Sequence, residues 1–300
     1  MKAMNLVRRI LRPFRGYQDG DLTEPSLQPY ENYITAARKL GLERPCLFLS
    51  FDCDTDLDAE AAEEVHSFLE ALNIKATYAV PGAQLLKSPD PYRRLSERGA
   101  AFMNHGGLPH AEWREDQWVG ITFYDSMAPE SVAADIRRGD EIVTEVTGQK
   151  PKGFRAPHFG CYQKPEQVEW LHRTAAELGY EYCSTTIPAF GLERGPAYKT
   201  HGLIEIPCFG SARYPQTILD SWTYLTDRKQ YALGDQYASL MSETIEFFIH
   251  HQMPAIFTWY ADPCHVLGQP AFMDSMKLIA ASGITSVTGS ELAGIANSKL

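Results

Sequence analysis

A chain of 300 residues, 44% hydrophobic and 22% charged, has ample apolar surface to offset ordering entropy, which excludes disorder as its dominant state. Its 28 basic and 38 acidic residues leave a formal charge of −10, opposite in sign to the basic face that a general nucleic-acid binder presents to phosphates. Six cysteines (Cys46, Cys53, Cys161, Cys183, Cys208, Cys264) are scattered without a CxxC pair, several of them inside apolar runs. Reduced thiols in a reducing compartment are expected rather than a disulfide framework.

Residues 1–43 read as an extension with a short helix around Tyr30–Leu40. Its start, MKAMNLVRRILRPFRGY over residues 1–17, is basic and amphipathic but lacks the apolar run and small-residue cleavage site of a secretory signal. A solvated extension is the first reading. The alternative is peripheral contact with an anionic membrane surface through Lys2, Arg8, Arg9, Arg12 and Arg15. No apolar stretch approaches the roughly 20 residues of a spanning helix, so a cytoplasmic chain is expected, with the inner membrane face as its site of contact.

From residue 44 a strand–helix rhythm runs to the end. Residues 46–54 predict a strand and 58–72 a helix, from apolar spacings of three and four. Residues 75–82 predict a second strand, followed by helix to Gly99 with a break at Pro89 and Pro91. A third strand over 100–105 opens into a long polar loop. Ser131–Thr147 predicts a helix stopping at Gly148, where a C-terminal glycine is favoured. Then come a strand over 153–160, a helix over Pro165–Leu178, and two strands at 180–188 and 203–210 joined by a Gly/Pro-containing loop. A helix over 239–252, a strand over 254–263, a helix over 270–282 and a final strand at 284–288 complete the pattern. Buried parallel strands alternating with helices imply one α/β domain over 44–300, a distorted barrel of seven or eight (β/α) units.

In such a barrel, side chains at the C-terminal strand ends face the active-site mouth. The first strand ends in Asp52, Asp54 and Asp56, and the third in Asn104 and His105, with His110 in the next loop. The fourth carries Arg155 and His158, and a late one ends in Asp262 and His265. The motifs SFDCD, the His105/His110 segment, FRAPHFG and DPCH, in that order, resemble the polysaccharide deacetylase family, also known as the NodB-homology or carbohydrate esterase family 4 group. The resemblance runs from about residue 46 to about 288. It departs in one place: His105 and His110 stand five apart, where the family pair stands four apart.

The resemblance implies a divalent metal held by Asp54, His105 and His110. Two imidazoles and one carboxylate suit zinc first, and also cobalt, nickel or iron. It further implies Asp52 as general base, Arg155 beside it depressing its pKa, the His158 backbone N–H as oxyanion donor, and a protonated His265 as general acid. Asp262 is the candidate to fix the His265 tautomer. Trp113, Trp222, Trp259 and Tyr260, near these ends, are the candidate sugar-stacking rings. The expected activity is removal of an N-acyl group from a carbohydrate, lipid-linked in a surface-polysaccharide precursor. A cyclic-amide or ureide hydrolase of allantoinase type and an inactive carbohydrate-binding homologue stand as alternatives. The aromatic stretch Trp222–Tyr237 is the candidate subunit interface should the chain oligomerise.

Overall fold

A computed structural model describes residues 24–300, so the basic segment 1–17 lies outside the described residues. The strands are β1 (Cys46–Asp52), β2 (Ala76–Val80), β3 (Ala101–Asn104), β4 (Ala111–Arg114), β5 (Gln117–Gly120), β6 (Gly153–Phe154), β7 (Tyr182–Cys183), β8 (Tyr198–Thr200), β9 (Leu203–Glu205), β10 (Leu225–Asp227), β11 (Ala232–Leu233), β12 (Ile256–Ala261) and β13 (Thr285–Ser286). Nine of them make one sheet in the order β12-β1-β2-β3-β6-β7-β9-β8, with β13 added to β1. All its pairs are parallel except β8–β9.

All seven residues of β1 are buried, as expected of a strand covered on both faces, and this explains its unbroken apolar reading. The sheet curls into the expected distorted barrel, but its last seam carries no ladder. There the chain after β9 crosses back to β12, with Phe209 N–H donating to the Thr258 carbonyl (3.0 Å) and Asp220 forming an isolated bridge with Tyr260. The helix Glu31–Lys39 packs over this region. Tyr30, Tyr33, Ile34 and Ala37 are buried, and the first three share a core cluster with β1, β2 and β12 side chains. The domain's packing therefore begins before the expected boundary at residue 44.

Several elements differ from expectation. The polar loop after β3 contains the antiparallel hairpin β4–β5, with Trp113 opposite Trp118. The predicted strand at 153–160 stops at Phe154, and within the predicted run His158 takes a left-handed backbone angle (φ 55°) that an extended strand does not allow. The connection after β7 forms the helix Pro188–Arg194 and strand β8 rather than a bare loop. A last helix, Gly289–Asn297, follows the final strand of the predicted pattern, with Thr288 and Glu291 forming a capping box at its start. All six cysteines are free thiols, as expected.

Candidate active site

Strand β1 delivers Asp52 at its last position, and Asp54 follows just before the helix Asp56–Ala71. Thr55 caps that helix. Its hydroxyl oxygen accepts from Asp58 N–H (3.3 Å), while its own N–H donates to Asp58 Oδ2 (2.9 Å), fixing the exit angle of the chain beside Asp54. On β3, two strands away, Asn104 closes the strand and His105 turns inward.

The five-residue spacing of the histidines is absorbed by the loop between them. Gly106 sits at φ +81°, a left-handed conformation in which a Cβ would also meet Asp135 Oδ2 at 2.5 Å. Asp135, from the helix Pro129–Thr147, accepts from Gly107 N–H (3.0 Å) and Leu108 N–H (2.7 Å) and from the Tyr124 hydroxyl (2.7 Å). Asn104 Oδ1 accepts from Gly106 N–H at 2.9 Å. So tied, the loop brings the two imidazole rings to 4.3 Å between centroids, edge to face.

The three expected ligands converge. Asp54 Oδ1 lies 3.3 Å from His110 Nδ1 and 3.6 Å from His105 Nε2, and one donor atom from each residue falls within 4.8 Å of the others. His105 Nδ1 faces the Arg155 carbonyl at 2.9 Å, so this nitrogen carries the proton and Nε2 offers its lone pair to the cluster. Asp54 Oδ1 and both ring nitrogens of His110 are buried without a hydrogen-bond partner among the described residues. Unpartnered buried acceptors converging on one point are costly unless a cation satisfies them, and these residues fit a divalent metal. Burial raises the Asp54 carboxyl, but His110 and then His105 hold it well below the usual carboxylate range. Burial pushes His105 well below its ordinary value, which keeps it in the neutral form a metal requires.

Arg155 is fully buried. Its NH1 donates to Asp52 Oδ1 (2.8 Å), its NH2 to Ser50 Oγ (2.8 Å) and Ser184 Oγ (3.2 Å), and its guanidinium lies over Phe159 and Tyr260. The other Asp52 oxygen stands 3.8 Å from His105 Nε2. Arg155 lowers the Asp52 carboxyl, as expected, but burial outweighs it and the group is pushed up to about 6.

His265 follows β12 in the short helix Pro263–Val266. Its Nδ1 lies 3.1 Å from Ser221 Oγ and 3.2 Å from Asp262 Oδ2, so Asp262 does stand where it can set the tautomer. Burial pushes His265 down to about 3, although Asp54 pulls it upward. Burial and the neighbouring Asp58 carboxylate push Asp262 well above its usual range. Both shifts run away from the charged forms, so burial opposes the imidazolium expected of His265.

His158 Nε2–H donates to the Ile121 carbonyl (2.6 Å), and its ring stacks on Phe123, tying the strand-end turn to the base of the β4–β5 hairpin. Of the expected sugar-stacking rings, Trp259 is 1% exposed, donates to the Gly210 carbonyl and stacks on Phe257 in the core, so it offers no face to a substrate. Tyr260 is half-buried against Arg155 and Phe159. Trp113 (55% exposed) and Trp222 (36%) remain open to solvent. Trp113 sits on the β4–β5 hairpin; Trp222 lies 5.4 Å from the His265 ring.

Residues 39–183, which carry Asp52, Asp54, both histidines, Arg155 and His158, match the family model described as polysaccharide deacetylase. Over that stretch, just under half of its length, the chain resembles the polysaccharide deacetylase family. Asp262 and His265 lie beyond the matched residues. No curated protein sequence matches the chain. Among solved structures, a Mycobacterium smegmatis protein named for this family superposes with a TM-score of 0.61 at 18% identity, covering 86% of this chain and 91% of the other. An allantoinase gives 0.57 at 12% identity, covering 89% and 92%. A Bacillus anthracis protein described as a pseudoenzyme of carbohydrate esterase family 4 gives 0.51 at 11% identity, covering 83% and 66%. At such identities the likeness is one of fold. The choice among an active deacetylase, a ureide hydrolase and a dead homologue falls to the residues at the mouth.

Proposed function

We propose that the chain is a metal-dependent hydrolase that removes an N-acyl group, acetyl in the simplest case, from a carbohydrate intermediate of surface-polysaccharide synthesis. The observation that carries this reading is the juxtaposition of an unsatisfied Asp54–His105–His110 cluster with the Arg155-held carboxylate of Asp52. A divalent ion held by those three side chains would supply a Lewis acid that polarises an acyl carbonyl and acidifies water. Asp52 takes the proton from the attacking water, and Arg155 fixes which carboxylate oxygen is free to do so. The His158 N–H has no acceptor among the described residues and serves the oxygen on which negative charge develops. His265, its Nδ1 facing Ser221 and Asp262, presents its other nitrogen to the departing amine as the proton donor.

The test is acetate or formate release from a panel of N-acylated nucleotide sugars, oligosaccharides and ureides, on protein stripped with a chelator and then reloaded with zinc or cobalt. Release from a sugar that disappears on stripping and returns on reloading is the expected result. Release from ureides alone would move the chain to the allantoinase-like reading. No release together with no bound metal would mark it as an inactive homologue.

A further inference from the structure

The hairpin β10–β11 lies over His265, and its turn carries a cation whose placement the deacylation machinery leaves unexplained. Tyr231, on this turn, stacks 4.6 Å from the His265 ring, and Trp222 flanks the same ring at 5.4 Å. Arg228 is exposed and holds its guanidinium 5.0 Å over the Trp222 ring. No acidic side chain among the described residues pairs with it. Asp227, next in the chain, commits Oδ1 to the Lys229 and Gln230 N–H groups of the turn instead. The charge is also felt at the site, since Arg228 contributes to holding His265 below its ordinary value.

The rest of the mouth is carboxylate-rich. Asp52, Asp54, Asp220 and Asp262 all stand near it, and the one buried cation among them, Arg155, is committed to Asp52. A neutral sugar has no use for an unpaired guanidinium at that rim. An aromatic face keeps a guanidinium in place without neutralising it, and the planar fork of nitrogens matches the paired oxygens of a phosphate or carboxylate. We propose that Arg228, positioned by Trp222, recognises an anionic group, phosphate or carboxylate, carried by the N-acyl sugar that enters between Asp52 and His265. The proposal rests on the deacylase reading for the sugar and names the substrate as charged.

Binding separates the two ideas, because it does not require turnover. Calorimetric titration of the full chain with N-acetylglucosamine 1-phosphate, with the N-acetylglucosamine derivative oxidised to a C6 carboxylate, and with the neutral methyl glycoside supplies the three arms. The expected result is that at least one anion binds about tenfold tighter than the neutral glycoside, with the preference falling as salt rises. The preference should collapse in Arg228→Gln and be weakened in Arg228→Lys, which keeps the charge but loses the planar fork. Which anion gains more distinguishes a phosphorylated from a uronate-type substrate. Equal affinity for charged and neutral sugars overturns the proposal, as does a preference that Arg228→Gln leaves intact or a failure of all three to bind. A wild-type chain that shows the Arg228-dependent preference yet releases no acyl group from any sugar would keep the anion subsite and sink the deacylase reading.

Discussion

Asp52 and Arg155 form a buried pair in which one carboxylate oxygen is held and the other faces the histidine cluster. Asp52→Asn keeps the shape and an oxygen for the Arg155 hydrogen bond but cannot take a proton. Metal content measured on the purified variant should match the wild type, while acyl release falls by about 10²-fold or more. Retained turnover would remove Asp52 from the base role. Asp220 gives a second prediction, in stability. Burial pushes its carboxyl from 3.8 up to about 6 against the bonds it accepts from Thr223. The folded state then holds this proton more tightly than the unfolded chain, so the group's contribution is present below about pH 4 and lost as pH rises through about 6. The shift corresponds to about 3 kcal/mol. Against Asp220→Asn, which lacks this titration, the wild-type melting temperature should fall relative to the variant between pH 4 and 7. Parallel pH profiles would contradict it. At this scale the sequence was informative wherever a reactive side chain closed a strand, as with Asp52, His105 and Arg155. It misjudged Trp259, because a buried strand is apolar on both faces and does not show which of its aromatics points to the mouth.

The loop from Asn104 to His110 illustrates what is legible at the level of elements. Ligands five positions apart look unfavourable on a helix, and the glycines and proline in between show only that the backbone is free to turn. What makes the turn specific is Asp135, thirty residues on from His105, whose carboxylate gathers two loop N–H groups and the Tyr124 hydroxyl. Nothing in the local pattern marks that residue, since a single Asp on an amphipathic helix reads as part of its polar face. Asp135→Ala leaves those donors unmet and lets the ligand loop relax. Metal affinity by calorimetric titration should fall about 10- to 100-fold, the usual cost of losing support behind a ligand. Unchanged affinity would mean that the loop holds its shape without this anchor. The hairpins β4–β5 and β10–β11 were equally hidden, being short, polar and joined by turns without an Asn-Gly or Gly-Gly signature.

Across the whole molecule, the succession of strands and helices was readable because buried parallel strands are long apolar runs and their helices keep a 3.6-residue period. The way the barrel closes was not, since its seam depends on contacts between residues 181 and 223 positions apart. Tyr33 donates its hydroxyl to the Ile256 carbonyl (2.9 Å) and accepts from Ile256 N–H (3.2 Å), while Tyr30 donates to the Ser211 carbonyl (2.7 Å). Tyr30 also packs its ring against Phe209 and Phe248, so the helix Glu31–Lys39 joins β12 to the chain crossing from β9 at the place where the sheet has no ladder. That helix is thus part of the barrel's closure rather than an appendage to it. Burial of Tyr30, Tyr33 and Ile34 contributes about 2 kcal/mol each, about 6 in all, comparable with the entire stability of an ordinary domain. A chain beginning at residue 42 should therefore unfold at much lower temperature than the full chain, with accelerated amide exchange first along β12 and residues 206–220. If its melting temperature and the exchange rates at the seam matched those of the full chain, the barrel would be closing without the helix, and the hydrogen bonds of Tyr30 and Tyr33 would be incidental to it.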